Sequence, residues 1–371
     1  MGGMMKIGID LLWVRVNICG GTESFIRNLL DGFAQFDQEH EYLLFVSRDN
    51  AESFAQYDSY AHMTTYTCNV ESKSPMKRLL WEQIHLDRLA KRQAVDVMFI
   101  PVYSKPFTWM SKLPYVSVIH DLQAAHYPEY FSKGKRILLQ WMWWYTCKTS
   151  TRVIAISEYG KEDIVKRYPF VERKITTIYN PICTEETTCD RDEIEKKYGV
   201  KDGQFMYCLS ALLPHKNLKT ILEMMSLREE DGQPLLISGV GGNRDELDRL
   251  VQEYGVQDKV RFTGFVENKE RDWFYEHCSV FLFPSVFEGF GMPPIEAMRK
   301  GTKVVMTRES CLEEVTEGKA VYVDNPYDAR EWCGKVSEVQ GMDREVHLSE
   351  QYELSVITKR YIEVIEGIYA L

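Results

Sequence analysis

The chain has 371 residues, which is too long for one ordinary hydrophobic core and predicts two domains. Hydrophobic residues make up 44% and charged residues 27% of the sequence, a balance that excludes disordered and fibrous proteins. The formal net charge of −10 argues against nucleic acid as a partner, because a phosphate backbone requires a basic protein face.

Cysteine usage and the N-terminus predict a soluble, cytoplasmic protein. The nine cysteines are scattered, with neither paired CxxC motifs nor zinc-ligand spacing, which is typical of reduced thiols. Asp10 and Arg15 interrupt the first apolar run, so we do not expect a signal peptide. Since no stretch reaches the roughly 18 apolar residues of a membrane span, any membrane contact would be peripheral, at the inner face.

Short apolar runs alternate with amphipathic helical patterns along the whole chain. The predicted strands of the first half are Lys6–Leu11, Tyr42–Val46, Asp96–Pro101, Tyr115–His120 and Arg152–Ser157. Those of the second half are Phe205–Leu209, Pro234–Ser238, Lys259–Phe262, Ser279–Phe283, Thr302–Met306 and Ala320–Val323. The predicted helices include Thr22–Phe36, Arg78–Arg92, Asn217–Leu227 and Asn243–Tyr254. This alternation predicts an α/β protein with parallel sheets and helices on both faces.

A polar, aperiodic stretch over residues 180–190 separates the two series and predicts a linker. We therefore divide the chain into doubly wound, Rossmann-like domains of residues 1–180 and 181–348, followed by a C-terminal helix within 349–371. Ligands of such sheets bind at the carboxyl ends of the strands, so two facing domains would form a cleft.

Gly20, Gly21 and Thr22 open the first predicted helix. Because glycine has no Cβ, a phosphate or a sugar could approach this helix start closely. Thr22 fits equally well the plain structural role of an N-cap residue.

His120 and Asp121 end a buried strand, at the sheet edge where ligands bind. A histidine there can hydrogen-bond a sugar hydroxyl or transfer a proton. The alternative is a core histidine that is oriented by Asp121. His126 lies nearby, but no third ligand has suitable spacing, so we do not expect a metal site.

Basic residues adjoin three tryptophans, Trp141, Trp143 and Trp144, in the segment 131–145. The segment could lie on a membrane surface with its aromatic rings at headgroup level, which would give a weak peripheral contact. The alternative is a buried helix, which is favoured because the apolar residues circle the helix rather than forming one stripe.

Two motifs of the second half predict an anionic sugar ligand. Lys216 and Asn217 follow the half's first strand, and a lysine there can bind a diphosphate. Glu288 and Glu296 flank a glycine turn between a strand and a helix that starts with prolines. The helix start favours a phosphate, and carboxylates accept hydrogen bonds from hydroxyls, so the combination fits a nucleotide sugar. The alternative is a loop with two solvated glutamates.

These motifs resemble those of the family 4 retaining glycosyltransferases, which have the GT-B fold. The matching segments are residues 20–23, 120–121, 155–159, 178–181, 214–217, 262–266 and 288–296. These short segments are spread over nearly the whole chain and occur in the family's order. The resemblance implies transfer of a hexosyl group from a nucleoside diphosphate sugar to a glycan or lipid-linked acceptor, with retention of configuration, in cell-surface polysaccharide biosynthesis.

The resemblance also implies roles for individual residues. Glu296 would hold the ribose hydroxyls, Lys216 the diphosphate, and Glu288 with the amides of Phe290 and Gly291 the donor sugar. The predicted catalytic residues are His120, Asp121 and Glu288. The predicted donor-binding residues are Lys216, Asn217, Val266, Gly289, Phe290, Gly291 and Glu296. The predicted acceptor-side residues are Gly20, Gly21 and Thr22.

The resemblance further implies that no cofactor and no metal are needed, because Lys216 and helix N-termini would replace a metal at the leaving phosphate. Two departures from the family pattern are Ala211, where many members have arginine, and Glu313, where they often have proline. The alternatives are a nucleotide-sugar epimerase on the same scaffold, an NAD-dependent oxidoreductase, which the missing dinucleotide fingerprint disfavours, and a non-catalytic nucleotide-sugar-binding subunit. The donor base, the sugar, the acceptor and the oligomeric state are not encoded in any pattern we recognise.

Overall fold

The computed structural model describes residues 3–16, 18, 20–107, 111–183, 189–228, 232–240, 244–340, 342 and 348–368. The chain forms two compact units, Met1–Pro181 with Glu350–Leu371, and Ile182–Ser349. Each unit contains one parallel sheet with flanking helices, which confirms the predicted α/β fold. Part of the predicted linker, residues 184–188, lies outside the described residues.

The first unit has a seven-stranded parallel sheet in the order β3-β2-β1-β4-β5-β6-β7. Its strands are β1 (Lys6–Asp10), β2 (Glu41–Ser47), β3 (Met63–Cys68), β4 (Val97–Ile100), β5 (Tyr115–Ile119), β6 (Arg152–Ala155) and β7 (Ile175–Thr177). β1 pairs with both β2 and β4, so the strand order reverses there, as in doubly wound sheets. The two edge strands, β3 and β7, were not predicted, because neither contains a buried apolar run.

Among the described residues of the first unit, six α-helices precede the second unit. They are α1 (Gly21–Phe36), α2 (Pro75–Trp81), α3 (Asp87–Arg92), α4 (Gln123–His126), α5 (Lys133–Thr149) and α6 (Glu158–Arg167). A π-helical turn, Glu82–Leu86, joins α2 to α3. The predicted helix over Arg78–Arg92 is therefore one continuous helix with a π-helical segment in its middle. α1 packs through a stripe with helical spacing, in which Phe25, Leu29 and Phe33 are fully buried.

The second unit has a six-stranded parallel sheet in the order β10-β9-β8-β11-β12-β13. Its strands are β8 (Met206–Leu209), β9 (Leu235–Ser238), β10 (Val260–Gly264), β11 (Val280–Phe283), β12 (Val304–Thr307) and β13 (Val321–Val323). Its helices are α7 (Arg191–Tyr198), α8 (Leu218–Leu227), α9 (Arg244–Tyr254), α10 (Asn268–His277), α11 (Met292–Arg299), α12 (Leu312–Val315) and α13 (Ala329–Gln340). The central strands β8 and β11 are neighbours, so the loops after them share one edge of the sheet.

The last helix, α14 (Leu354–Glu366), packs against α1 of the first unit. A Cβ on Gly32 would lie 2.1 Å from Thr358 Oγ1, so only glycine allows this close approach. Arg360 Nη2 donates a hydrogen bond of 2.8 Å to the carbonyl of Thr177. Among the helices that the structure describes, none has the length and apolar character needed to cross a membrane.

Candidate functional site

Lys216 and Glu288 meet at the carboxyl edge of the second unit's sheet. Lys216 ends a short 3₁₀ helix after β8, and Glu288 lies in the loop after β11. The distance from Lys216 Nζ to Glu288 Oε1 is 2.5 Å, and the side chains are 23% and 15% exposed. The two predicted residues thus form a partly buried ion pair that a ligand can still reach.

Backbone hydrogen bonds fix the two loops that carry this pair. The carbonyl of His215 accepts from the Val286 N–H at 2.8 Å and from Ser285 Oγ at 3.3 Å. The Glu288 N–H donates to Ser310 Oγ at 3.0 Å. Burial, together with the charge of Lys216, lowers the pKa of His215 to about 4, so this imidazole is neutral at physiological pH. Its neutrality leaves Lys216 as the cation of these loops.

The glycine turn before α11 is tightly constrained. Gly291 is the N-cap residue of α11 and has φ +84°, a conformation that favours glycine. A Cβ at this position would lie 2.6 Å from Leu312 Cδ2, so packing also requires glycine. Phe290 is buried, and its carbonyl accepts a hydrogen bond from Cys311 Sγ. α11 then starts at Met292, and Pro293 and Pro294 follow in its first turn without backbone N–H groups.

Glu296 lies on α11 with its carboxylate buried beside a cation and a hydroxyl. Tyr275 Oη donates to Glu296 Oε2 at 3.1 Å, and Arg271 Nε lies 3.8 Å from the same oxygen. Burial raises the pKa of Glu296, while the Arg271 charge and the Tyr275 hydrogen bond oppose this effect. Sequence analysis missed Arg271 and Tyr275, although their i, i+4 spacing places them on one face of α10.

Asn217 and Val266 have evident packing roles. Asn217 has φ +50°, and its Nδ2 donates to the carbonyl of Pro326 at 2.6 Å while its Oδ1 accepts from Thr220 Oγ1. Its side chain therefore holds the start of α8, and its predicted contact with the donor stays a prediction. Val266 follows β10 and is partly buried against the unit's core. At Ala211 the backbone carbonyl accepts from the Leu213 N–H at 2.8 Å.

His120 lies at the end of β5 in the first unit, partly exposed. Its Nε2 is 2.8 Å from the carbonyl oxygen of Pro101, and because a carbonyl only accepts, Nε2 carries the proton. Burial lowers the pKa of His120 to about 4, so the ring is neutral and Nδ1 is an acceptor. Asp121 Oδ1 instead accepts from the Gln123 N–H at 2.8 Å. Nε2 of His120 thus contacts Pro101, and the alternative in which Asp121 orients His120 stays a prediction.

Gly20 and Gly21 leave the start of α1 open. Gly20 is the N-cap residue with φ +56°, and α1 begins at Gly21. A Cβ on either glycine would meet no atom within 4 Å, so packing does not explain them. Thr22 lies inside the helix, so its alternative interpretation as a plain N-cap is wrong. Cys19, directly before this turn, lies outside the described residues.

Sequence comparisons with other proteins identify the family to which this chain belongs. An uncharacterized glycosyltransferase of Methanocaldococcus jannaschii, MJ1607, is 30% identical over 350 residues, covering 88% of this chain and 87% of that protein. The family models "Glycosyltransferase Family 4" and "Glycosyl transferases group 1" match residues 19–186 and 190–344. The chain belongs to the family 4 glycosyltransferases.

Other proteins are similar to this glycosyltransferase at lower sequence identity. The O-antigen chain mannosyltransferase RfbU of Salmonella typhimurium is 28% identical over 222 residues, which span 60% of each protein, less than two thirds of the relative. The crystal structure of Anabaena HepE in complex with UDP and glucose superposes with a TM-score of 0.70 at 16% identity, covering 98% of this chain and all of HepE. These findings confirm the predicted family and the GT-B fold.

The predicted site residues of the glycosyltransferase fall into two groups. The second unit contains Lys216, Asn217, Val266, Glu288, Gly289, Phe290, Gly291 and Glu296, and the first contains Gly20, Gly21, Thr22, His120 and Asp121. Among the described residues, no group of three His, Cys, Asp or Glu side chains could hold a metal ion. That the reaction needs no metal stays a prediction.

Proposed function

We propose that this glycosyltransferase moves a hexosyl group from a nucleoside diphosphate sugar to a glycan or lipid-linked acceptor, with retention of configuration. The ion pair of Lys216 and Glu288, next to the helix start at Gly291, is the observation that carries the proposal. A cation and main-chain amides suit a diphosphate, and a carboxylate suits sugar hydroxyls. The names of RfbU and of other mannosyltransferase relatives support a role in building a cell-surface polysaccharide.

Each side chain of the second unit has a distinct part in this proposal. Lys216 moves from Glu288 to the diphosphate when the donor binds, and Glu288 then accepts hydrogen bonds from the donor sugar. Glu296 is oriented by Tyr275 and accepts hydrogen bonds from the ribose hydroxyls. The partial positive charge of the α11 N-terminus adds to Lys216 at the phosphate. These charges stabilise the departing nucleoside diphosphate without requiring a metal.

The transfer step breaks the bond between the anomeric carbon and the leaving phosphate oxygen. The acceptor hydroxyl oxygen bonds to the anomeric carbon on the same face, and its proton goes to the leaving phosphate. No enzyme side chain forms a covalent intermediate in this scheme. His120 is neutral and its Nδ1 can accept a hydrogen bond from a hydroxyl of the sugar, so it positions the donor rather than acting as an acid.

A panel of UDP- and GDP-sugars tests the proposal. The matching donor should raise the unfolding temperature, undergo slow hydrolysis and release a sugar whose anomeric configuration, followed by NMR, equals that of the donor. EDTA should leave the hydrolysis rate unchanged. Conversion of the donor into an epimer without an acceptor would favour the epimerase instead. Donor binding without hydrolysis, and without transfer to any member of a panel of oligosaccharide and lipid-linked acceptors, would favour a binding subunit. A product of inverted configuration would contradict retention.

A further inference from the structure

The first unit contains a cavity of about 480 Å³ beside the edge strand of its sheet. It lies between the last residues of β3 and one side of the helix that α2, the π-helical turn and α3 form. The side chains that determine its chemistry are Tyr66, Cys68, Trp81, His85, Arg88 and Arg92. We propose that this cavity is a subsite for an acidic unit of a saccharide acceptor, a unit that carries a carboxylate or a phosphate. The inference rests on the proposed function, because it specifies the class of acceptor.

The helix side of the cavity supplies two guanidinium groups. His85, Arg88 and Arg92 follow one another at spacings of three and four residues, which places them on the same side of the helix. Among the described residues that line the cavity, none is acidic, although the whole chain has a net charge of −10. Guanidinium groups bind carboxylates and phosphates through paired hydrogen bonds. The lining therefore selects an anionic ligand.

Two buried carboxylates lie behind the cavity wall at Cys68, but they do not cancel its positive charge. Burial and the charges of Asp10 and Glu82 raise the pKa of the Cys68 thiol to about 12. Burial raises the pKa of Glu82 itself to about 8, so this carboxyl group is largely protonated at neutral pH. Arg78 pairs with Glu82 and its charge also acts on Asp10, so it offsets the remaining negative charge. The two arginines of the lining thus determine the charge that a ligand meets.

Aromatic side chains give the cavity walls that suit a sugar ring. The ring centroids of Trp81 and His85 lie 5.2 Å apart, and Tyr66 is packed at 6.0 Å from the fully buried ring of Phe45. A pyranose ring presents C–H groups on its faces and hydroxyls at its rim. An indole or phenol ring matches both, because it has an apolar face and a polar tip. The volume also lies in the range of small-molecule sites, so a ring with an acidic substituent fits better than an inorganic ion.

The cavity lies at the same edge of the sheet as the predicted acceptor-side residues. Tyr66 and Cys68 are among the last residues of β3, and the strand register aligns Tyr66, through Phe45 of β2, with Asp10 at the end of β1. Four steps between neighbouring strands separate β3 from β5, which His120 follows. At about 4.8 Å per step this is about 19 Å. An acidic unit in the cavity would therefore be several sugar rings away from a hydroxyl that reacts near His120.

Calorimetry with two matched pairs of saccharides tests the inference. The first pair is tetragalacturonate and its methyl ester, and the second is mannopentaose with and without a terminal phosphate. Each pair keeps the sugar rings and changes only the charge. At least one acidic member should bind about tenfold or more tightly than its neutral counterpart, which is the effect of one hydrogen bond to a charged group. This preference should decrease at high salt, because exposed charges are screened.

Variants of the lining separate the charge contact from the ring contact. Arg88→Gln combined with Arg92→Gln should weaken binding of the acidic saccharide at least about tenfold and leave the neutral one unchanged. Trp81→Leu should weaken both members of a pair, because the indole ring would contact the sugar and not its charge. The matched control is Lys166→Gln combined with Arg173→Gln, which removes two exposed cations beside the opposite edge of the same sheet. The control should bind like the wild-type chain.

Donor hydrolysis distinguishes failure of this inference from failure of the proposed function. The arginine and control variants should keep the wild-type unfolding temperature and the wild-type rate of donor hydrolysis. Normal hydrolysis without a preference for either acidic saccharide would overturn the subsite alone, and so would an equal loss of affinity in the control. A wild-type chain without donor hydrolysis would count against the proposed function, while the calorimetry still decides the subsite. Binding to phosphatidylglycerol vesicles that depends on Arg88 and Arg92, without saccharide binding, would assign the cavity to a lipid headgroup instead.

Discussion

Glu288 and Lys216 should have opposite effects on the affinity for a nucleoside diphosphate. In the free protein the 2.5 Å ion pair engages the lysine that binds the diphosphate in the proposed site. Glu288→Gln removes a negative charge that both competes for Lys216 and repels phosphate. Lys216→Met removes the cation while keeping a side chain of similar length. We therefore expect tighter binding in the first variant and weaker binding in the second.

The magnitudes follow from simple electrostatics. Two like charges about 7 Å apart repel by about 2 kcal/mol at an effective dielectric constant of about 20, and salt reduces this to about 1 kcal/mol. Glu288→Gln should thus bind nucleoside diphosphate about fivefold more tightly. A hydrogen bond to a charged group contributes about 1.5–3 kcal/mol, so Lys216→Met should bind about 10- to 150-fold more weakly.

Titration calorimetry with UDP and with GDP measures both effects, and donor hydrolysis measures turnover. Both variants should lose turnover, because Glu288 also holds the sugar in the proposed site. The matched control is the exposed ion pair of Lys335 and Glu338 on α13, at 3.1 Å, where Lys335→Met and Glu338→Gln should change neither quantity. Weaker diphosphate binding in Glu288→Gln would refute the competition on which this reasoning depends.

Two further predictions concern stability. Burial raises the pKa of Glu82 from 4.5 to about 8. Between these two pH values the folded state retains a proton that the unfolded state loses. The free energy of unfolding should therefore decrease as the pH rises from about 4.5 to about 8. Glu82→Gln should flatten that decrease in unfolding experiments at pH 4.5 to 8, and an equally steep profile would contradict the assignment. Gly291 and Gly301 both have φ near +80°, so alanine strains the backbone at either position. Only at Gly291 would the added Cβ also clash, with the side chain of Leu312. Gly291→Ala should therefore lower the free energy of unfolding by about 1–3 kcal/mol more than Gly301→Ala does. Equal losses in the two alanine variants, measured by denaturant unfolding, would show that the backbone conformation alone accounts for the cost.

Most of the fold follows from local patterns, and the exceptions have physical causes. Most of the eleven predicted strands contain a short, mainly apolar run, as expected for a parallel sheet that is covered on both faces, whereas the edge strand β10 contains Arg261 between Val260 and Phe262. β3 was missed because as an edge strand it exposes Thr64 and Thr67, and β7 because two of its three residues are threonines. The π-helical turn at Glu82 could not be predicted, since its buried carboxylate pairs with Arg78 and lies close enough to Asp10, at the end of β1, for the two carboxylates to repel.

In the candidate site, too, the residues that lie close together in the sequence were predicted, whereas residues brought together only by packing were missed. The glycine turn and the two glutamates stand within one short segment, so sequence spacing was enough to predict them. Lys216 was placed by its position after a strand, and the parallel sheet then brings it to Glu288 although 72 residues separate them. Arg271 and Tyr275 lie on a polar helix whose orientation toward Glu296 depends on packing between α10 and α11, which no local pattern reports.

In the proposed function, the ion pair of the free protein prepares Lys216 for a diphosphate without making the product bind too tightly. A lysine held in a partly buried position with no partner would be destabilising, and a pair with Glu288 removes that cost. We propose that the phosphates of the donor replace the carboxylate on Lys216, and that Glu288 then becomes available to the sugar hydroxyls. After transfer the sugar is gone, so Glu288 is again free to compete for Lys216 and to weaken the hold on the nucleoside diphosphate. We therefore expect Glu288→Gln to slow product dissociation in stopped-flow displacement experiments, and an unchanged dissociation rate would separate the pair from product release.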